Sequence, residues 1–217
     1  MYQNRKILLL GAGGHCLSVI DSLISSYNYS DIGIIDKVEE GNQGKRMIMG
    51  VPVVGSDDDL LHLFESGYTD AFITVGSVGN PSLRKKLYQQ IKEIGFQIPN
   101  IIDKTSVISE YATLAKGIYV GKNAVINANT MIGCCAIINT SATIEHECNI
   151  GEFVHIAPGS ILCGNVTIGN HTHIGAGSIV KQGLHIGSDT MIGMGSVVIS
   201  NIGSKVTAYG NPCREVK

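Results

Sequence analysis

The sequence predicts an α/β domain followed by a parallel β-helix, and three observations carry that reading. From Ile102 to Val198 every sixth residue is aliphatic, with no insertion to break the count. Two positions before these stops the side chain is usually small, as at Ala124, Thr130, Ala142, Cys148, Ser160 and Ser178. Ahead of the repeats, the apolar run from Arg5 to Leu10 enters a glycine-rich turn, Gly11-Ala12-Gly13-Gly14-His15-Cys16. A period this strict marks a repeat architecture. A period of six matches neither the helical 3.6 nor the strand 2, which excludes a helix bundle or a simple sandwich.

Each six-residue unit reads as one short strand and one corner. Three units close a triangular coil, so stacked positions recur about every eighteen residues. The aliphatic stop points inward and the small residue fits the inside of the corner. The residue after the stop is often Gly or Asn (Gly121, Asn127, Gly133, Asn139, Gly151, Gly169, Gly175) and is expected to turn the chain at positive φ. One coil cannot bury its own core; its neighbours do that by stacking on it.

Composition bounds the answer. The chain has 217 residues, 44% hydrophobic and 16% charged, which excludes a disordered chain and predicts a well-buried globular protein. A net charge of −2 points to no nucleic-acid surface. Six cysteines with no C-x-x-C pair are expected to be reduced and mostly buried. No signal peptide and no membrane-spanning apolar run are read, so the expected compartment is the cytoplasm.

Residues 1–100 form the first expected domain. Arg5–Leu10 is a strand buried on both faces. A helix carries Leu17, Val19, Ile20, Leu23 and Ile24, and Ile32–Asp36 is a second strand. This βαβ unit with its glycine-rich first turn is Rossmann-like, a layout that holds a nucleotide at a helix N-terminus, although Cys16 stands where the third glycine of G-x-G-x-x-G belongs. Residues 37–50 read as a loop and Val51–Val54 as a short edge strand. Ser56 caps a helix over Asp57–Ser66. Ala71–Val75 is another strand, and a helix from Pro81 stops at Gly95. A ligand is expected at the carboxyl ends of the strands, near Gly13, Gly14, His15, Asp36 and Gly76.

Residues 101–217 form the second domain: the coils to about Asn201, then a tail in which Gly210 and Pro212 break the period and prevent a further coil. The densest departure from the repeat is Ile144-Glu145-His146-Glu147-Cys148, after Asn139-Thr140-Ser141. An imidazole beside a carboxylate is a minimal general base. His155 and His173 lie one coil apart and are expected to stack. They raise the question of a metal, but in His171-Thr172-His173 adjacent side chains face opposite ways, and no metal is expected.

The hexads, the G-A-G-G-H turn and the segment N-T-S-A-T-I-E-H-E-C-N-I-G-E-F-V-H-I-A-P-G together resemble the hexapeptide-repeat bacterial sugar acetyltransferases of the PglD/NeuD type, over nearly the whole chain. The resemblance implies a left-handed β-helix and an acetyl-CoA-dependent N-acetyltransferase acting on a nucleotide-linked 4-amino-sugar, with a UDP-sugar favoured, for a bacterial surface glycan or glycoprotein. Acetylation of a hydroxyl on sialic acid or a related sugar is the alternative. It implies His146 as general base, Glu147 as the acid that strengthens it, and Asn139 in substrate positioning. It implies His155, Ala176 and Met194 as acetyl-CoA contacts, and Gly13, Gly14, His15, Asp36, Lys37 and Gly76 as sugar-nucleotide contacts. A homotrimer with active sites at the subunit interfaces is expected.

Overall fold

The computed structural model describes residues 4–37 and 46–216. The chain divides into two compact units, residues Met1–Gly76 with Ser82–Pro99, and residues Ser77–Pro81 with Asn100–Lys217.

In the first unit, β1 (Lys6–Leu10) runs through α1 (Gly14–Ser26) to β2 (Asp31–Ile35); β3 (Met47–Ile48) and β4 (Val51–Gly55) follow. A 3₁₀ turn at Asp57–Asp59 leads to α2 (Leu60–Glu65), then β5 (Tyr68–Ile73) and α3 (Ser82–Ile94). The sheet order is β3-β4-β2-β1-β5, with β1 parallel to β2 and β5, and β4 parallel to β2. β1, an interior strand paired on both sides, is fully buried from Ile7 to Leu10, as its unbroken apolar run requires. One expectation changes. Val51–Val54 is not an edge strand, because Met47–Ile48 pairs antiparallel outside it. That outer strand is only two residues long, too short for any periodicity to announce it; residues 38–45 of the expected loop lie outside the described residues. Ser56 does cap the turn: the Asp59 carboxylate accepts from both the Ser56 N–H (2.8 Å) and its hydroxyl (3.0 Å).

In the second unit each of the seventeen expected stops is the second residue of a two-residue strand, from Ile101–Ile102 to Val197–Val198. Strands pair in parallel with the strand eighteen residues on, as Val125↔Thr143 and Ile137↔His155 show. Three faces result. The first runs from Val107–Ile108 to Val197–Val198, the second from Thr113–Leu114 to His185–Ile186, and the third from Ile101–Ile102 to Met191–Ile192. From Val120 to Val198 the stops are 0–2% exposed and form one continuous core. The small corner residues are also buried, and their hydroxyls are satisfied by the carbonyl fifteen residues ahead: Thr130 to Glu145 (2.9 Å), Ser160 to Gly175 (2.9 Å), Thr172 to Gly187 (2.6 Å) and Ser178 to Gly193 (3.0 Å). Ser and Thr thus fill a tight corner at no cost in unpaired polar groups.

The turning residue is not the one expected. Positive φ falls three residues after the stop, at Asn123, Asn129, Cys135, Ser141, Glu147, Phe153, Asn165 and His171, and likewise at Gly159, Gly177 and Gly195. The glycine directly after the stop serves a different need: a Cβ on Gly133 would lie 2.6 Å from the Gly151 carbonyl carbon. It allows one coil to approach the next. The tail also does more than end the coil. Thr207–Gly210 adds a rung beside Met191–Ile192 and folds back against Cys213–Val216 as a hairpin.

Candidate active site

His146 and Glu147 occupy the edge between the first and second faces, in the corner joining Thr143–Ile144 to Asn149–Ile150. Both are exposed, and the His146 Nδ1 lies 3.1 Å from Glu147 Oε2. With Nδ1–H donating to the carboxylate, Nε2 carries the lone pair, the arrangement of an oriented base. Glu147 sits at the left-handed corner, φ 59°, where several other coils place Gly or Asn. Glu145, after the stop, accepts from Asn127 Nδ2 at 2.9 Å, so it is held in the coil.

Asn139 lies on a different edge, in the corner joining the third face to the first. Its Nδ2 is 3.3 Å from His155 Nε2, and its Oδ1 accepts from the Thr140 N–H at 2.8 Å. His155 is 8% exposed on the third face. Its Nδ1–H donates to the Ser77 carbonyl at 2.6 Å, which leaves Nε2 to accept from Asn139. His173 is the register partner of His155, with the rings edge to face at 4.8 Å. Burial holds the His173 ring below the usual histidine range. Ala176 and Met194 share the Asn139 edge one coil apart, linked by the Gly195 N–H to the Ala176 carbonyl at 2.8 Å. Met194 is 80% exposed.

The expected residues of the β-helix therefore fall into two groups. Asn139, His155, Ala176 and Met194 follow one edge; His146 and Glu147 follow the other. Between them runs the first face, whose outward residues Val107, Ile161 and Ile179 are exposed and apolar. At the same strand position the second face presents polar Thr113, Asn149, Thr167 and His185, with one exposed apolar residue, Met131. Among the described residues no group of three or more His, Cys, Asp or Glu is placed to hold a metal ion, and no helix is long and apolar enough to cross a membrane.

The first unit has its own cleft, of about 700 Å³, at the carboxyl ends of β1 and β2. Gly11, Asp36, Lys37, Ser56, Asp57 and Gln90 are among its lining. Asp36 also accepts from Arg46 Nη1 at 2.7 Å on the surface, a solvated pair that a ligand can displace at little cost. Gly11 is required by the fold: at φ 109° its Cβ would meet Val75 Cγ2 at 2.5 Å. Gly13 and Gly14 are not, since a Cβ at either meets nothing within 4 Å. They cap and open α1, and Gly76 reaches His15 nearby, its Cβ position 3.7 Å from that of His15. Cys16, in the place of the third glycine, is fully buried, and burial pushes its thiol up to about 11. Its thiol is within hydrogen-bonding reach of the Thr74 side chain, just past the end of β5. None of the six cysteines is in a disulfide; Cys16, Cys135, Cys148 and Cys213 are buried, Cys134 and Cys163 partly so.

Sequence reasoning missed the partner of His155, because Ser77 is seventy-eight residues away and nothing local signals the contact. It also missed the acidic and amide lining at Asp57 and Gln90, residues that read as ordinary helix surface.

The PglD N-terminal domain family matches residues 6–91. The bacterial transferase hexapeptide family matches residues 147–182, and the hexapeptide repeat of succinyl-transferase matches residues 165–200. Among solved structures, the chain is similar to PerB from Caulobacter crescentus in complex with CoA and GDP-perosamine, at 34% identity and a TM-score of 0.87, covering 98% of this chain and 97% of that one. It is similar to the acetyltransferase domain of PglB from Neisseria gonorrhoeae in complex with acetyl coenzyme A, at 32% identity and a TM-score of 0.90, covering 98% and 100%. A GDP-perosamine N-acetyltransferase of Escherichia coli O157:H7 is 28% identical over 161 residues, 73% of this chain and 70% of that one. The coil is a left-handed β-helix, as in these structures.

Proposed function

The chain belongs to the hexapeptide-repeat sugar acetyltransferases that carry a PglD N-terminal domain, and from that premise we propose that it moves an acetyl group from acetyl-CoA to the amine of a nucleotide-linked 4-amino-sugar. It is an acetyltransferase by family. The amine acceptor is supported by the relatives, two of which are named for, or bound to, GDP-perosamine. The sequence expectation favoured UDP; these names put a GDP-sugar beside it, and both belong in the test.

The observation that carries the reading is the His146–Glu147 pair, an oriented imidazole at an exposed corner. The acceptor nitrogen attacks the thioester carbonyl, and His146 Nε2 takes the proton that the nitrogen sheds. The C–S bond then breaks, and the imidazolium returns its proton to the departing thiolate to give CoA-SH. The thioester is already activated, so positioning and one base suffice. Asn139 and His155 stand at the acetyl end of the donor, with Ala176 and Met194 along the pantetheine arm.

The first unit is proposed to bind the sugar nucleotide. Gly13 and Gly14 are open at the start of α1, as a diphosphate needs, and Asp36 and Lys37 line the adjoining cleft. The apolar first face supports a homotrimer: a second copy seated on it would cover Ile161 and Ile179 and bring the His146 edge of one subunit toward the Asn139 edge of the next.

A free-thiol release assay with acetyl-CoA against GDP-, UDP-, dTDP- and CMP-linked amino-sugars tests the reaction. Turnover of one amino-sugar and not of its hydroxyl counterpart is the expected result. Turnover of sialic acid with no amine accepted would replace the N-acetyl reading by the O-acetyl one. Glu147 gives a second check. An ordinary residue in the left-handed region costs about 1–2 kcal/mol, so Glu147→Asn is expected to raise Tm by a few degrees while lowering turnover. A fall in Tm would show that Glu147 serves the coil instead.

A further inference from the structure

Gly164 stands one coil beyond His146, at the same corner position. The usual reasons for glycine are absent there. Its φ is outside the left-handed region. Its Cβ would not strike backbone, unlike those of Gly133, Gly151, Gly169, Gly175 and Gly187, each of which meets the main chain of the next coil. The three nearest atoms all belong to the His146 ring: Cε1 at 2.5 Å, Nε2 at 2.6 Å and Cδ2 at 3.2 Å from the Cβ position. The imidazole lies in the space that any side chain at 164 would fill.

We propose that Gly164 is a positioning residue for the acetyl transfer. The missing side chain lets the His146 ring lie back across the following coil, while Glu147 Oε2 holds its Nδ1 edge at 3.1 Å. The distal edge of the ring, Cε1, Nε2 and Cδ2, lies against Gly164 and the Nδ1 edge is hydrogen-bonded, and these two constraints fix where Nε2 meets the acceptor amine. The ring stands on an exposed corner, 59% accessible, so the space left by Gly164 matters to where it lies. This inference rests on His146 being the general base.

The test is Gly164→Ala in the full-length enzyme, with His146→Ala, the double variant, and Gln182→Ala as a control one coil further on. Alanine fits the backbone at 164, so the fold and Tm are expected to stand. The displaced ring is expected to lower kcat by about 10- to 100-fold, the scale of a misplacement near 1 Å, with KM for acetyl-CoA unchanged. In the His146→Ala background the second substitution is expected to add nothing, because its effect runs through the ring. Long-range ¹H–¹⁵N spectra give a readout independent of turnover: Nδ1–H with an unprotonated Nε2 in the wild type, and loss of that single tautomer in Gly164→Ala. Wild-type turnover and an unchanged tautomer in Gly164→Ala, beside an inactive His146→Ala, would overturn the role of Gly164 and leave the base in place. An active His146→Ala would overturn both.

Discussion

His146→Ala is expected to lower kcat by roughly 10²–10⁴-fold, the range that a positioned general base contributes, and to leave KM for acetyl-CoA near its wild-type value. The split follows from where the residues lie. The positions proposed to line the pantetheine arm, Ala176 and Met194, are on the other edge of the β-helix, across the first face. Removing an exposed imidazole from the His146 edge touches neither them nor the core. Tm is expected to stay unchanged for the same reason, since no buried group loses a partner. Stopped-assay thiol release at saturating acceptor, with a melting curve on the same sample, reads all three. A kcat within a few-fold of wild type would remove His146 as the base and return attention to His155.

Gly175→Ala is expected to do the reverse: to cost stability and acetyl-CoA affinity together. The added Cβ would lie 2.4 Å from the Met194 nitrogen and 2.6 Å from the Gly193 carbonyl carbon and the Ile192 oxygen. Those are main-chain atoms, and they cannot swing aside as a ring can. The coils must part, straining the bond from the Gly175 N–H to the Ile192 carbonyl at 2.8 Å. Overpacking of this kind costs about 1–3 kcal/mol, roughly 2–4 °C of Tm for each kcal/mol in a chain of this size. Ala176 and Met194 follow immediately along the same edge, so KM for acetyl-CoA is expected to rise. The same glycine-to-alanine change is thus predicted to be thermally silent at 164 and destabilising at 175. Equal melting of the two variants would show that coil spacing is not set by the glycine after the stop.

The core was legible because its signal is redundant. Ile126, Ile144 and Leu162 could each be read alone as a strand residue; only the unbroken count makes them layers of one coil. The corners were less legible, for a physical reason. Glycine answers two demands, positive φ and close main-chain approach, and a sequence does not separate them. Here the φ demand is met by Asn123, Ser141, Glu147 and Phe153 as well as by Gly159 and Gly177. The position that turns the chain accepts glycine without requiring it, while the one after the stop takes glycine where a Cβ would strike the next coil, as at Gly133 and Gly175, and Asn127, Asn139, Glu145 or Ala157 elsewhere. His146 and Glu147 could be paired from sequence because they are neighbours. Asn139 and His155 meet only through the geometry of the coil, and Ser77 reaches His155 through a chain excursion that no periodicity describes. Gly164 was within reach: counting one coil forward from His146 lands on it.

The pairing interval makes the length of this chain a discrete quantity. From Ile101 to Val198 each rung registers with the residue eighteen positions away. Loss of a single residue before Thr143 would shift all later side chains by one position, turning Ile150 and Ile156 toward water and leaving Gly151 and Ala157 to face the core. Excision of one whole coil would instead leave each remaining side chain on the face it now holds. The edge that carries Ala176 and Met194 can therefore be shortened or extended only in steps of a full turn, and the reach it would offer to the proposed elongated donor comes in the same steps.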